Sequence, residues 1–319
     1  MGKNSNISDE DILKEETQPG VVVYRSNVPK GAGVFDMDIA PGIKEVTIKY
    51  DLLMLGCEKS FPDVEKLIIG EDVVSIEILN TLFPNVRWVL SMNYEFETGS
   101  YLVYNHFGFK TLLNAFCRGA DETIDLGDID SIDNFAFSHL PDMNINMTTI
   151  PENLGLAITH PGNTYGVRCV NVHINNRNGI FDFVLPCSVS VIVGARTNIV
   201  INQMADCKYA KKLSGLRYLE TAYMNASNSM YKYAVAYKTY KKTKNKYAKE
   251  FLIDEQKHVA KAIIREMEEK DFADFVKLDF INLKYDADIV KCLEEQNWNV
   301  ALAYMLEEGK NSSNDAFVI

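Results

Sequence analysis

One phrase returns along this chain with altered wording. Phe61-Pro62-Asp63-Val64-x-x-Leu67-x-Ile69 comes back 22 residues later as Phe83-Pro84-Asn85-Val86-x-x-Val89. Ile43-x-x-Val46-x-Ile48 matches Val64-x-x-Leu67-x-Ile69 from 21 residues upstream. A step of this length belongs to a stack in which each unit adds one short strand and a return segment. Each unit has too little apolar area to be stable alone, so neighbours must share one continuous core. Such stacks usually present binding surfaces and seldom catalyse.

The remaining pattern agrees with a stack. Short β-rich segments separated by turn residues run from about 42 to 203, and their apolar residues mostly alternate. Expected strands are 20–24, 45–49, 66–70, 87–92, 123–127, 143–147, 170–175, 188–194 and 198–202. Residues 29–33 read as a turn cluster, and the stretches 93–118 and 151–168 do not parse. After about Lys208 proline vanishes and helical spacing takes over, as in Val259, Ile263, Ile264 and Met267. Ile263-Ile264-x-x-Met267-Glu268-Glu269 repeats as Ile289-Val290-x-x-Leu293-Glu294-Glu295, offset by 26, which predicts stacked helical hairpins. The expected fold class is therefore an α+β repeat. A flexible leader (1–20) precedes an irregular β-rich solenoid (21–207), helical hairpins (208–310) and a frayed tail (311–319).

The run Ile124-x-Leu126-x-x-Ile129-x-x-Ile132-x-x-x-Ala136-Phe137, continuing to Met143, resembles the bacterial BspA-type leucine-rich repeat. The resemblance implies that Ile124 and Leu126 belong to the strand and Ile132, Ala136 and Phe137 to a tucked return. Ser131-Ile132-Asp133 departs from it by lacking the usual glycine, and His139-Leu140 stands near where a cysteine is common. The Tyr- and Lys-rich 231–247 stretch and Ala301-Leu302-Ala303-Tyr304-Met305-Leu306-Glu307 resemble the ankyrin-like helical segment that often follows such repeats. A repeat scaffold is what the resemblance implies. No catalytic residues come with it.

Charge and motifs narrow the function further. A net charge of −11 over 319 residues argues against bulk polyanion binding by the whole chain. Residues 1–18 are polar and mostly acidic, without a secretory pattern, and the longest apolar runs are far too short to span a bilayer. The cysteines at 57, 117, 169, 187, 207 and 292 are scattered, which suits reduced thiols and a cytoplasmic location. Asp121, Asp125, Asp128, Asp130 and Asp133 do not follow a calcium-loop spacing and read as solvated repeat turns. The five histidines have no metal-ligand spacing, and His173 is expected to face away from Cys169, which argues against a nucleophilic pair. Gly31-Ala32-Gly33 lacks the rest of a phosphate-loop fingerprint. No cofactor, metal or catalytic residue is expected.

Two surfaces remain. If Val46, Leu67, Val89 and Ile124 align as core, Glu45, Lys66, Trp88 and Thr123 form one outward column, and Thr47, Ile68, Leu90 and Asp125 the next. Trp88, Ile68, Leu90 and Met92, with Lys66 beside them, would make an apolar patch that needs a protein partner or a covering helix. The second surface is 208–249, with 11 Lys/Arg against one acid and eight interleaved tyrosines. Tyr233, Tyr237 and Tyr240 stand at helical spacing, which favours a packed stripe with lysines outside. Nucleic-acid or anionic-surface binding through this stretch is the alternative, and an enzyme seated in 93–118 or 151–168 is a further one.

Overall fold

The computed structural model describes residues 12–18, 21–26, 39–49, 51–54, 59–119, 122–139, 141–159, 167–204 and 213–315. In chain order these form β1 (Ile12–Gln18), β2 (Val21–Ser26), β3 (Glu45–Ile48), β4 (Leu52–Met54), β5 (Lys66–Ile69), β6 (Ile76–Ile78) and β7 (Trp88–Ser91). Then come β8 (Phe96–Glu97), β9 (Leu102–His106), β10 (Phe109–Asn114), β11 (Thr123–Asp125), β12 (Ser131–Ile132) and β13 (Met143–Met147). Helix α1 (Leu154–Thr159), β14 (Cys169–Asn176), β15 (Gly179–Pro186), α2 (Val191–Gln203) and α3 (Leu213–Glu220) follow. The chain then turns through a short 3₁₀ segment (Ala222–Asn225) into α4 (Ser229–Thr243), α5 (Lys246–Asp254), α6 (Gln256–Glu266), α7 (Glu269–Val276), α8 (Ala287–Gln296) and α9 (Asn299–Asp315).

The first half is a β-solenoid. Strands β2, β3, β5 and β7 pair in parallel, with Glu45 beside Lys66 beside Trp88, and Val46 beside Leu67 beside Val89. Each coil repeats the same local chemistry. Proline presets the turn and a short polar residue follows it, so the Val64 N–H reaches the Phe61 carbonyl (3.3 Å) and the Val86 N–H reaches that of Phe83 (3.2 Å). Phe61 and Phe83 stack one coil apart, with centroids 6.0 Å from each other. Asn85 Nδ2 donates to the Pro62 carbonyl and the Gly42 N–H to Asp63, both at 2.9 Å, so side chains tie one turn to the next. Val46, Val64, Leu67, Ile69, Phe83, Val86 and Val89 are all buried in one core.

The stretch 93–118 interrupts this sheet. It folds as β8 and the antiparallel hairpin β9–β10, with β10 pairing β12 in parallel on its other side. The hairpin turns on Phe107 and Gly108, both at positive φ (50° and 89°), the mirror-image turn that suits strand twist. Beyond it a second sheet runs β11-β13-β14-β15. Ile124, Leu126, Ile129, Ile132, Ala136 and Phe137 are all buried there, on the positions that the repeat pattern assigns to the core. Buried asparagines join the two halves: Asn114 Nδ2 donates to the Ile78 carbonyl (2.9 Å), and Asn80 Nδ2 to that of Ala136 (3.1 Å).

Several expectations need correcting. Residues 188–194 and 198–202 are not strands: 188–189 are irregular, Ser190 caps α2, and 191–194 and 198–202 lie within that helix. The Ser190 hydroxyl accepts the Val193 N–H, and the buried residues Gly194, Thr197 and Ile201 recur at helical spacing. Helix thus begins inside the expected 21–207 solenoid. Ile12–Gln18, within the expected leader, pairs with β2, and α9 runs into the expected frayed tail. The expected 29–33 turn cluster, Cys57, Asp121, His160, Cys207 and Lys208 to Lys212 lie outside the described residues. Among the described residues no helix is long and apolar enough to cross a membrane.

The C-terminal helices make a third core around Tyr237, Leu252, Ile263, Phe272, Phe275 and Leu293. The two repeated segments form hairpins α6–α7 and α8–α9. They are tied together where Glu269 accepts the Ala301 N–H at 3.1 Å.

Candidate functional site: the outer sheet face

Side chains between core positions turn to the outer face of the first sheet. Trp88 is 48% exposed and Met92 68%, while Ile68 and Leu90 are half-buried between their neighbours. The pairing sets Trp88 beside Lys66 and Leu90 beside Ile68, so the expected patch forms on β5 and β7. Lys66 is drawn into an ion pair with Glu45 on the preceding strand. The expected columns end at this sheet, because β11 pairs β13 and not β7. Thr123 and Asp125 still point outward, but on the second sheet, beside Asn144 and Asn146.

On the second sheet the outer face is polar and partly roofed by α4. Its columns read Thr123, Asn144, Asn171 and Asp125, Asn146, His173. Asn144 Oδ1 accepts both Asn171 Nδ2 (3.0 Å) and Lys242 Nζ (2.9 Å), and this pair of bonds divides two recesses. The larger, about 450 Å³, lies between Asp142, Cys169 and Asn171 of the sheet and Lys238, Lys241, Glu268 and Asp271 of the helices. The smaller, about 290 Å³, runs past Thr123, Asn146, His173 and Asp182.

Lys238 closes the inner end. Its Nζ donates to Asp142 Oδ2 (2.5 Å) and to the Val167 carbonyl (2.8 Å). Burial works against the charge on Lys238, but the Cys169 sulfur and the Asp142 carboxylate outweigh it and hold the ammonium above its ordinary value. Burial also pushes the Cys169 thiol well up and that of Cys187 to about 12. Both are therefore neutral thiols near pH 7 and poor nucleophiles.

Cys169 and His173 do not face opposite sides, contrary to expectation. They stand four residues apart on β14, an even step, so both turn toward the outer face. That step separates them by roughly 13 Å along a strand, and each has its own partner. His173 Nδ1 bonds Asp182 Oδ1 at 2.7 Å, and the Cys169 N–H and sulfur both meet Asp142 Oδ1.

The acidic turns behave as turns. Asp125 accepts the Gly127 N–H, Asp133 the Phe135 N–H and Asp130 the Lys110 N–H, with Asp128 paired to Lys110. No group of three or more His, Cys, Asp or Glu that could hold a metal ion occurs among the described residues. The tyrosine stripe packs: Tyr237 is buried against Phe275, and Tyr240 meets Phe280 edge-on at 5.1 Å. No family model matches this chain, and no curated protein or solved structure matches it either.

Proposed function

We propose that the protein is a non-catalytic binding scaffold of degenerate leucine-rich-repeat type, extended by an ankyrin-like helical segment. It captures a protein partner on the outer face of its first sheet. The observation that carries this reading is the row of Trp88, Leu90 and Met92 beside Ile68 on a parallel sheet. A large aromatic held by strand pairing and left half in water has little reason to be there unless something covers it. Such anchors, ringed by half-buried aliphatic side chains, commonly carry most of an interface's energy. Scattered free thiols suit a reducing compartment, and a cytoplasmic location is part of the proposal.

The nucleic-acid alternative draws less support. Lys238 and Lys241 pair with Asp142, Asp271 and Asp274, while Lys232, Lys244, Lys246 and Lys249 lie over aromatic rings of their own helices or of a neighbouring segment. Oligonucleotide binding through 208–249 would weaken steeply with salt. With these lysines so engaged, no mobility shift of single- or double-stranded oligonucleotides is expected at 150 mM salt.

The test of the scaffold reading is a comparison of captured proteins. Immobilised full chain should retain a set of proteins from a lysate of the source organism that the Trp88→Glu and Met92→Glu variants fail to retain. Both variants should melt as the parent chain does. Identical captured sets would overturn the proposal. Loss of cooperative melting would show that these side chains belong to the core.

A further inference from the structure

Where the first coils meet the β9–β10 hairpin, a groove of about 360 Å³ runs along the surface. Residues 74–78 line it from the coil, Phe96 and Tyr104 from β8 and β9, and Asp133 and Phe135 from the turn that follows β12. Its walls thus come from three segments far apart in the chain, the kind of junction at which small ligands commonly bind. Phe96 belongs to the core, whereas Tyr104 and Phe135 are half-buried, so part of each of these two rings is open to solvent.

The charge in this groove has one sign. Glu77 and Asp133 are its charged lining residues, and no lysine, arginine or histidine lines it. Both carboxylates are exposed, and neither is ion-paired among the described residues. Asp133 accepts the Phe135 N–H at 2.9 Å, which leaves its charge unbalanced. The neighbouring carboxylates are treated differently: Glu95 pairs with His106, and Glu97 and Asp128 with Lys110. Desolvation first, and then Glu95, raises the Tyr104 phenol, so this wall is partly shielded from water and sits in a negative field. Two carboxylates supply too few oxygens for a calcium-type site, and no group that could hold a metal occurs among the described residues. A weakly hydrated organic cation has the opposite needs. It gives up water easily, is drawn to aromatic ring faces and requires only a nearby negative charge.

We propose that this groove binds an organic cation of the quaternary-ammonium or guanidinium kind, held against Tyr104 and Phe135 and balanced by Glu77 and Asp133. Small free molecules and protein side chains both carry such groups, and the two arms of the test separate these sources. The groove shares no residue with the Trp88 patch, so the proposal stands or falls apart from the scaffold reading.

The full chain is titrated calorimetrically with two cations at fixed ionic strength. One is choline, set against its uncharged isostere in which a tert-butyl group replaces the trimethylammonium. The other is acetyl-Gly-Arg-Gly-amide, set against the same peptide with neutral citrulline in place of arginine. At least one cation is expected to bind, and its neutral counterpart to bind about tenfold more weakly. Binding of choline alone marks a site for free cations, and binding of the peptide alone marks a site for a partner's side chain. Glu77→Gln combined with Asp133→Asn should abolish the binding without changing the melting temperature, because asparagine keeps the acceptor for the Phe135 N–H. Glu77→Gln alone alters an exposed position and should weaken the binding even if the double variant does not fold. Tyr104→Leu should weaken it as well. Failure of both cations to bind, or equal binding of a cation and its neutral counterpart, would overturn the proposal. So would binding that survives in the folded double variant, since the net charge of the whole chain would then be the attraction.

Discussion

Lys238 shows how one side chain can hold two cores in register. It leaves helix α4, crosses to the sheet and satisfies Asp142 and the Val167 carbonyl there. Lys238→Met keeps the stem but strands a carboxylate that also accepts the Cys169 N–H. A loss of about 2 kcal/mol is expected, since an abandoned partner costs more than a made bond gains. Thermal melts check this, and adding Asp142→Asn to Lys238→Met should recover part of the loss. Asp286 acts on a smaller scale as the cap of α8, accepting the Asp288 and Ile289 N–H groups and pairing with Lys257 at 2.9 Å. The Lys257 bond first, then the Ile289 N–H, hold its carboxyl below the ordinary carboxylate range against the opposing effect of burial. A group lowered in the folded state stabilises above its unfolded pKa and loses that contribution as pH falls through the folded one. Asp286→Ala should therefore lower stability by about 1 kcal/mol at neutral pH. The gap from the parent should narrow below about pH 4 as Asp286 protonates in both states. A gap constant from neutral pH to pH 3 would remove the carboxylate from the account.

Helices α1 and α2 cross so closely that two glycines are required. A Cβ on Gly155 would sit 2.6 Å from the Asn198 backbone, and one on Gly194 would sit 2.4 Å from Thr159 Oγ1. Gly155 also donates its N–H to Asn198 Oδ1 at 3.1 Å. Gly155→Ala should cost about 1–3 kcal/mol by forcing the helices apart. Gly215→Ala in α3 meets only Val200 at an ordinary 3.7 Å and should be neutral or stabilising, since alanine favours helix. Denaturant midpoints of the two variants separate close packing from propensity. This crossing also marks where sequence reading stopped working. Val46, Leu67 and Val89 were legible because a parallel sheet repeats its core residue at the same place in every coil. Ile124 to Phe137 was legible for the same reason. Residues 188–202 were not, because Val-x-Val-Ile-Val alternates like a strand and only the Ser190 cap and the 194, 197, 201 spacing speak for helix. The β9–β10 hairpin was hidden because Phe107 stands where asparagine or glycine would announce a mirror-image turn. On the outer face Trp88 and Met92 were readable from parity alone, whereas the cleft under α4 needed contacts about 100 residues apart, such as Lys238 with Asp142.

At the scale of the molecule, the solenoid and the helices share one strand pair. Phe183 and Leu185 of β15 face the solenoid core, while Val184 between them faces the helical core with Cys169 of β14. Both sides of this ribbon are buried at that end, which is why 183–187 reads as an almost unbroken apolar run. Neither unit can open here without exposing the other's apolar surface, so the two should unfold together. The chain supplies a reporter for each: its two tryptophans are Trp88, in the first sheet, and Trp298, half-buried against the helical core. Single-tryptophan chains made by Trp298→Phe and Trp88→Phe should melt with coincident midpoints. Val184→Asp places an unpaired carboxylate on the helical side of the ribbon, a change of about 3 kcal/mol. If the shared ribbon couples the units, both midpoints fall by the same amount, although the substitution touches only one core. A fall confined to the Trp298 signal, with Trp88 unmoved, would mean that the helices are an appended unit. The solenoid would then keep its shape, and its binding face, without them.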